Sequence, residues 1–129
     1  MWLSVLTEEQ RSALLGLAHN VVVSDGLLDP NEELMLDEFK REMALNPDTQ
    51  SEYLDLQGIE DVFVSHKSRV IAVLNLLRLS YVDGAFEIEE ECLLRELSGI
   101  FGIDQEQFLL MENWVKRLIS LEDEAKNLM

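Results

Sequence analysis

The sequence is poor in cysteine and in positive charge, and both shortages limit what the protein can be. A single cysteine, Cys92, excludes an intrachain disulfide and fits a reducing compartment. Ten lysines and arginines stand against 26 aspartates and glutamates, which gives a net charge of −16. Such a surface repels nucleic acid and anionic membranes, and it favours cationic partners or bound metal ions.

Long apolar runs and catalytic motifs are also missing. No apolar run approaches the roughly 20 residues needed to span a bilayer. The first ten residues, MWLSVLTEEQ, lack the basic start and long apolar core of a signal peptide. There is no nucleophile elbow, phosphate loop, redox pair or metal-hydrolase signature. We therefore expect a cytoplasmic protein that is not an enzyme, has no catalytic residues and neither inserts into a membrane nor binds nucleic acid.

Proline and glycine are scarce, which favours helices. Two prolines and six glycines in 129 residues predict a single all-α domain. Side chains suited to helix starts occur at Thr7, at Asp29 before Pro30, at Ser65 and at Asp104. These signals predict a bundle of about six to seven helices.

The distribution of apolar residues predicts which helix is central. Ten of the thirteen residues at 70–82 are apolar, so this segment is predicted to be the most buried helix. A C-terminal helix is expected at about 105–126, and a short helical piece at about 50–57. We expect Cys92 to be a small residue of the core.

Two stretches of the chain share one pattern. Residues 25–33 read DGLLDPNEE, and residues 83–91, which start 58 positions later, read DGAFEIEEE. Each stretch joins two predicted helices, so the chain is predicted to contain two related helix–loop–helix halves at about 8–45 and 66–102. With this offset, the matching acidic and glycine positions are Asp25 with Asp83, Gly26 with Gly84, Asp29 with Glu87, and Glu32 with Glu90.

The first interpretation of such a loop is a calcium-binding EF-hand. With Gly26 as loop position 6, Asp25 and Glu32 fall at positions 5 and 12, as that loop requires. Positions 1 and 3 would supply no carboxylate or amide ligand in either copy, because they hold Val21 and Val23 in the first and Leu79 and Tyr81 in the second. The EF-hand is therefore rejected.

The repeated pattern resembles the TerB-like family, named for bacterial tellurite-resistance proteins. The shared features are a long amphipathic helix, then Asp-Gly-x-apolar-acid-x-x-Glu, then another helix, twice in an acidic chain, over roughly residues 8–115. The resemblance implies an all-helical bundle of about seven helices in two related halves. It also implies an acidic cluster suspected of binding divalent metal, and a link to tellurite or general stress responses. The second copy departs by having Glu87 where a shorter capping residue is common.

The acidic residues of the two turns fit two interpretations. Hard cations such as Ca²⁺ and Mg²⁺ take carboxylate oxygens, so the turns could provide a divalent-cation site. Its candidate ligands are Asp25, Asp29, Glu32, Asp83, Glu87 and Glu90. Alternatively, the same acids only cap helices, where the helix dipole favours them. The protein would then be a structural protein–protein interaction module. In either case we expect a protein partner, with a second copy of the chain as one candidate.

Overall fold

The computed structural model describes residues 1–24, 29–82 and 87–129, and it contains six α-helices and no strand within these ranges. The prediction of an all-α bundle is confirmed. A short 3-10 turn at Leu3–Val5 comes first, and the helices follow in the order α1 (Glu8–Val23), α2 (Pro30–Glu42), α3 (Ile59–Val62), α4 (His66–Tyr81), α5 (Ile88–Ile100) and α6 (Gln105–Leu128).

Four helices, α1, α2, α4 and α6, begin directly after the capping residues that were predicted for them. The Thr7 hydroxyl accepts the Gln10 N–H at 3.2 Å, and the Gln10 side chain accepts the Thr7 N–H at 3.0 Å. Ser65 caps α4, and Asp104 caps α6 by accepting the backbone N–H of the third helical residue. These starts were predictable because each cap depends on residues within one turn of itself.

Helix α4 lies at the centre of the bundle, where it packs on α1, α2, α5 and α6. Its central position was predicted from its apolar sequence, and α1 is buried to a similar extent. The core between the helices is filled mainly by aliphatic side chains, and its largest fully buried residues are Phe39, Phe63, Phe101 and Phe108.

The two predicted halves have the same helix pattern. Helices α1 and α4 each have 16 residues, α2 and α5 each have 13, and every boundary is shifted by 58 positions. The ends match as well, since Leu45 N–H donates to Lys40 O at 2.8 Å and Ile103 N–H donates to Ser98 O at 2.9 Å. The residue before each of these donors has a positive φ, 56° at Ala44 and 72° at Gly102. The described parts of the halves therefore match in helix length, in spacing along the chain and in the hydrogen bonds at the helix ends.

The segment between the halves corrects one prediction. Residues 50–56 form no helix, and the short helix α3 comes later. The side-chain amide of Asn20 holds this segment against α1 by donating to Leu54 O at 2.7 Å and accepting the Leu54 N–H at 3.0 Å. Gly16 lets the segment approach α1, since a Cβ on Gly16 would lie 2.8 Å from the Leu54 Cβ. The expected helix was wrong because contacts with α1 determine this conformation.

Two further features concern the surface. Cys92 is exposed on α5, so its expected place in the core was wrong. Helix α6 ends a little beyond the predicted residue 126, and residues 120–129 are all exposed. In the part of the chain that the structure describes, no helix combines the length and apolar character needed to cross a membrane.

Candidate functional site

The first candidate acids lie at the start of α2. Asp29 is the N-cap, and its carboxylate accepts the backbone N–H of Asn31 at 2.7 Å. Pro30 occupies the first helical position, as predicted. Glu32 stands at the third position, and its residue is only 2% exposed. A carboxylate is thus buried in the first turn of α2.

The start of α5 repeats this arrangement. Glu87 is the N-cap, and its backbone N–H donates to the Oε1 atom of Glu90 at 3.1 Å. Glu90 is also 2% exposed. The two halves therefore bury a glutamate at the same helical position, although carboxylates are among the side chains that are least often buried. The neighbouring Glu33 and Glu89 are exposed.

The remaining candidates belong to the two Asp-Gly pairs. Asp25 and Asp83, together with Gly26 and Gly84, lie outside the described residues. Within the three described ranges, no group of three His, Cys, Asp or Glu side chains is arranged to hold a metal ion. A cation site at either turn would therefore need Asp25 or Asp83 in addition to the pairs at the starts of α2 and α5.

The end of α1 and the start of α5 lie next to each other. Ser24, the C-cap of α1, and Glu89, in the first turn of α5, line the same cavity of about 420 Å³. Asp55 and Glu96 also line it, so three carboxylates border this space. The C-terminal end of α1 and the N-terminal end of α5 therefore lie at the same acidic end of the bundle.

Tyr81, the last residue of α4, is affected by burial and by two other carboxylates, Glu112 and Glu91. Burial raises the pKa of the Tyr81 phenol to about 12, with further contributions from the negative charges of Glu112 and Glu91 and from a hydrogen bond to Glu112. The Lys116 ammonium lies 5.8 Å from the centre of the Tyr81 ring. A neutral phenol is favoured here because a phenolate would be desolvated among carboxylates. Glu112 and Glu91 therefore add to the negative potential at the end of α4.

Two arginines that the sequence analysis did not single out support the halves. Arg11 donates to the backbone carbonyls of Leu6 at 2.9 Å, Met43 at 2.8 Å and Ser4 at 2.6 Å. Arg69, 58 positions later, donates to three carbonyls in the same way, those of Phe63 at 2.5 Å, Phe101 at 3.1 Å and Glu60 at 2.9 Å. In both halves the arginine joins the segment before the hairpin to the end of its second helix. The offset of 58 would have found this pair.

Comparisons with protein-family models, with curated proteins and with solved structures gave no match for this chain.

Proposed function

We propose that the protein is a non-enzymatic, TerB-like acidic module that binds a divalent cation of the Ca²⁺ or Mg²⁺ class at its two Asp-Gly turns. The observation that supports this proposal is the burial of Glu32 and Glu90 at equivalent positions in the first turns of α2 and α5. A buried carboxylate is costly unless opposite charge or hydrogen bonds compensate for its lost hydration. Its two oxygens can serve a backbone N–H and a cation at once.

The ligands of this proposal come from both sides of each turn. In the first half they are Asp25, Asp29 and Glu32, and in the second half Asp83, Glu87 and Glu90. The acidic cavity between the ends of α1 and α5 adds to the attraction for cations at this end of the bundle. The TerB-like resemblance implies the same kind of site and adds a role in the response to tellurite or other stress.

A second candidate function is protein–protein interaction without a metal site. It is favoured by large apolar side chains that are exposed on α6 and near the N-terminus, among them Trp2, Leu110, Leu121 and Leu128. In that case the acids at the two helix starts only cap α2 and α5. The hydrogen bonds from Asn31 N–H to Asp29 and from Glu87 N–H to Glu90 are consistent with this role.

Thermal unfolding separates the two candidates. A ligand that binds only the folded state stabilises it by RT ln(1 + [L]/Kd), which is about 2.7 kcal/mol at a hundredfold excess over Kd. After chelator treatment, we expect Ca²⁺ or Mg²⁺ to raise the melting temperature by several degrees. NaCl at matched ionic strength is the control, because screening of a net charge of −16 also stabilises the fold.

Substitutions then test whether the stabilisation by the divalent cation arises at the two Asp-Gly turns. Asp25→Asn and Asp83→Asn remove a charge with little change in size, and together they should abolish the gain from the divalent cation. Glu33→Gln is the matched control, because Glu33 belongs to the first turn of α2 but is exposed and does not line the acidic cavity. A cation effect that NaCl reproduces, or that persists in the Asp25→Asn/Asp83→Asn variant, would contradict the metal site and favour the interaction module.

The stress role needs a separate test in cells. A strain without this protein should grow less well under tellurite if the TerB-like resemblance extends to function. Wild-type protein should restore growth, and the Asp25→Asn/Asp83→Asn variant should not. Equal growth of the strains with and without the protein would contradict the role in tellurite resistance, whatever the result of the metal titration.

A further inference from the structure

The second half of helix α6 lies at the surface of the bundle and carries apolar side chains into solvent. Its first half contributes Phe108, Met111 and Val115 to the core, whereas residues 120–129 are all exposed. Leu121 is 61% exposed, and Leu128 is 89% exposed. The exposed portion, residues 120–129, is called the overhang below.

The overhang continues a pattern that begins inside the bundle. Apolar residues recur at alternating spacings of three and four, which is the heptad pattern of a helix that pairs with another helix. They are Met111, Trp114, Leu118, Leu121, Ala125 and Leu128. Only the first part of this seam is covered, because exposure rises from buried Met111 through half-buried Trp114 and Leu118 to the exposed overhang. The pattern therefore lacks a partner helix along its second part.

A second uncovered apolar surface lies beside the first half of α6. The rings of Trp2 and Trp114 pack at 6.1 Å between centroids, and Trp2 is 52% exposed. Together with Leu74 and Leu110 they border a hollow of about 390 Å³, here called the tryptophan hollow. Leu110 is 64% exposed. The hollow lies on the same side of α6 as Leu121 and Leu128, since residues spaced 4, 7, 11 and 14 apart share a helix face.

We propose that a second copy of the chain covers both surfaces, through antiparallel pairing of the two α6 helices. In this arrangement Leu118 of each copy packs against Leu121 of the other, on either side of the two-fold axis. Trp114 then faces Ala125 of the other copy, so a large side chain meets a small one. The overhang of each copy thereby covers the tryptophan hollow of the other.

The charges beside the seam fit this orientation. Arg117 and Glu124 flank the seam on the same side, seven positions apart. Antiparallel pairing about the midpoint between Leu118 and Leu121 brings Arg117 next to Glu124 of the other copy, and it does so twice. A parallel pair would instead place the two overhangs against each other and leave both tryptophan hollows open.

The amount of surface also favours the antiparallel arrangement. A stable complex usually buries about 800 Å² on each partner. The stripe from Leu110 to Leu128 is about 27 Å long at 1.5 Å per residue. Antiparallel pairing buries more surface, because it uses this full length and adds Trp2 and Leu74. A parallel pair of overhangs would use only the last part of α6 and would therefore bury less surface.

Sedimentation equilibrium of the full chain, in chelator so that no divalent cation contributes, tests the proposal. We expect a monomer–dimer equilibrium. Leu121→Asp and Leu128→Asp should each raise the dissociation constant on the order of a hundredfold, since each side chain is buried twice per dimer. Leu34→Asp is the matched control, because Leu34 is 63% exposed on α2 and lies outside the interface. Circular dichroism verifies that the variants remain folded, as expected for changes at exposed positions.

A charge exchange tests the orientation. Arg117→Glu and Glu124→Arg should each weaken the dimer about tenfold, and the double variant should restore it, because every pair then regains opposite charges. A chain that remains monomeric at all concentrations would overturn the proposal. A dimer that Leu34→Asp weakens as much as Leu121→Asp, or a double variant weaker than both single variants, would overturn it as well.

Discussion

The two halves share one helical hairpin but differ in what covers its first helix. The non-helical segment at 50–57 lies on α1, whereas α6 and the Trp2 region lie on α4. Positions related by the offset of 58 differ accordingly. Gly16 leaves room for Leu54, whereas the equivalent residue of the second half, Leu74, lies beside Trp2. Asn20 forms hydrogen bonds with the Leu54 backbone. Its equivalent, Arg78, instead forms an ion pair with Glu122 at 3.6 Å.

This comparison distinguishes residues that stabilise the hairpin itself from residues that contact the layer covering it. Features repeated in both halves, such as the helix lengths, the N-caps and the Arg11/Arg69 pair, belong to the hairpin itself. Features found in one half belong to the covering layer. Two hairpins alone would leave the outer faces of α1 and α4 exposed to water, so each half requires an additional layer. The residues that differ between the halves are those that contact this layer, which is the 50–57 segment on α1 and α6 on α4.

The largest expected effect comes from the shared arginines. Arg11→Met and Arg69→Met each leave three backbone carbonyls without their donor, and hydrogen bonds to a charged group contribute about 1.5–3 kcal/mol apiece. Both side chains are half-buried, so water can replace part of the lost hydrogen bonding. We therefore expect each substitution to lower the free energy of unfolding by about 3 kcal/mol. Arg69→Met should cost more, since Arg69 also lies 5.7 Å from the Phe101 ring centre.

Urea unfolding of both variants measures these costs. If one arginine proves neutral while the other is costly, the two halves do not depend on the same internal support, and the comparison between them fails at this point.

The second prediction concerns a position where the halves differ. Gly16→Ala gains about 0.8–1 kcal/mol of helix propensity but places a Cβ 2.8 Å from the Leu54 Cβ. Overpacking of this kind costs about 1–3 kcal/mol, so we expect a net loss of about 1 kcal/mol. Gly99→Ala is the matched control, because Gly99 is also helical and a Cβ there meets nothing within 4 Å. Gly99→Ala should stabilise, and a stabilising Gly16→Ala would show that residues 50–57 do not press on α1.

The third prediction exchanges equivalent residues at the ends of α2 and α5. Gly102 and Ala44 both have left-handed φ values, which favour glycine over alanine. We expect Gly102→Ala to destabilise by a little under 1 kcal/mol and Ala44→Gly to stabilise by a similar amount, as judged by denaturation midpoints. Effects of the same sign would show that the two helix ends are not equivalent.

The last expected effect is absent at neutral pH, because it is a dependence on alkaline pH that exists in the second half alone. The pKa of Tyr81 is raised to about 12, whereas the equivalent residue in the first half, Val23, does not titrate. The folded state holds this proton more tightly than the unfolded state, so the stabilisation is complete below about pH 10 and is lost as the pH rises towards 12. Tyr81→Phe should therefore lose less stability than wild type over this range, as measured by urea unfolding. Parallel curves for the two proteins would contradict the raised pKa.

Local chemistry explains which structural features the sequence could predict. The starts of α1, α2, α4 and α6 were predicted because Thr7, Asp29, Ser65 and Asp104 act within their own first turns. The 58-residue repeat was also readable from the sequence. The course of residues 50–57 was not, because Asn20 and Gly16, some 34 to 38 positions away, determine it.

The candidate site was predictable only in part. The positions of Asp29 and Glu32 at a helix start followed from the capping pattern, and those of Glu87 and Glu90 followed from the 58-residue repeat. The burial of both glutamates did not, since it depends on how the helices pack over them. Cys92 was misplaced for the same reason, because its apolar neighbours Leu93 and Leu94 could not show which side of α5 faces the core.

The contact between Trp2 and Trp114 has a practical consequence for spectroscopy. These are both tryptophans of the sequence, and their rings are 6.1 Å apart, so all indole emission arises from one place where the N-terminal residues meet α6. Fluorescence therefore reports the release of that contact, whereas far-ultraviolet dichroism reports the helices. Coincident unfolding curves from the two signals would indicate that the N-terminal residues leave α6 only when the whole bundle unfolds.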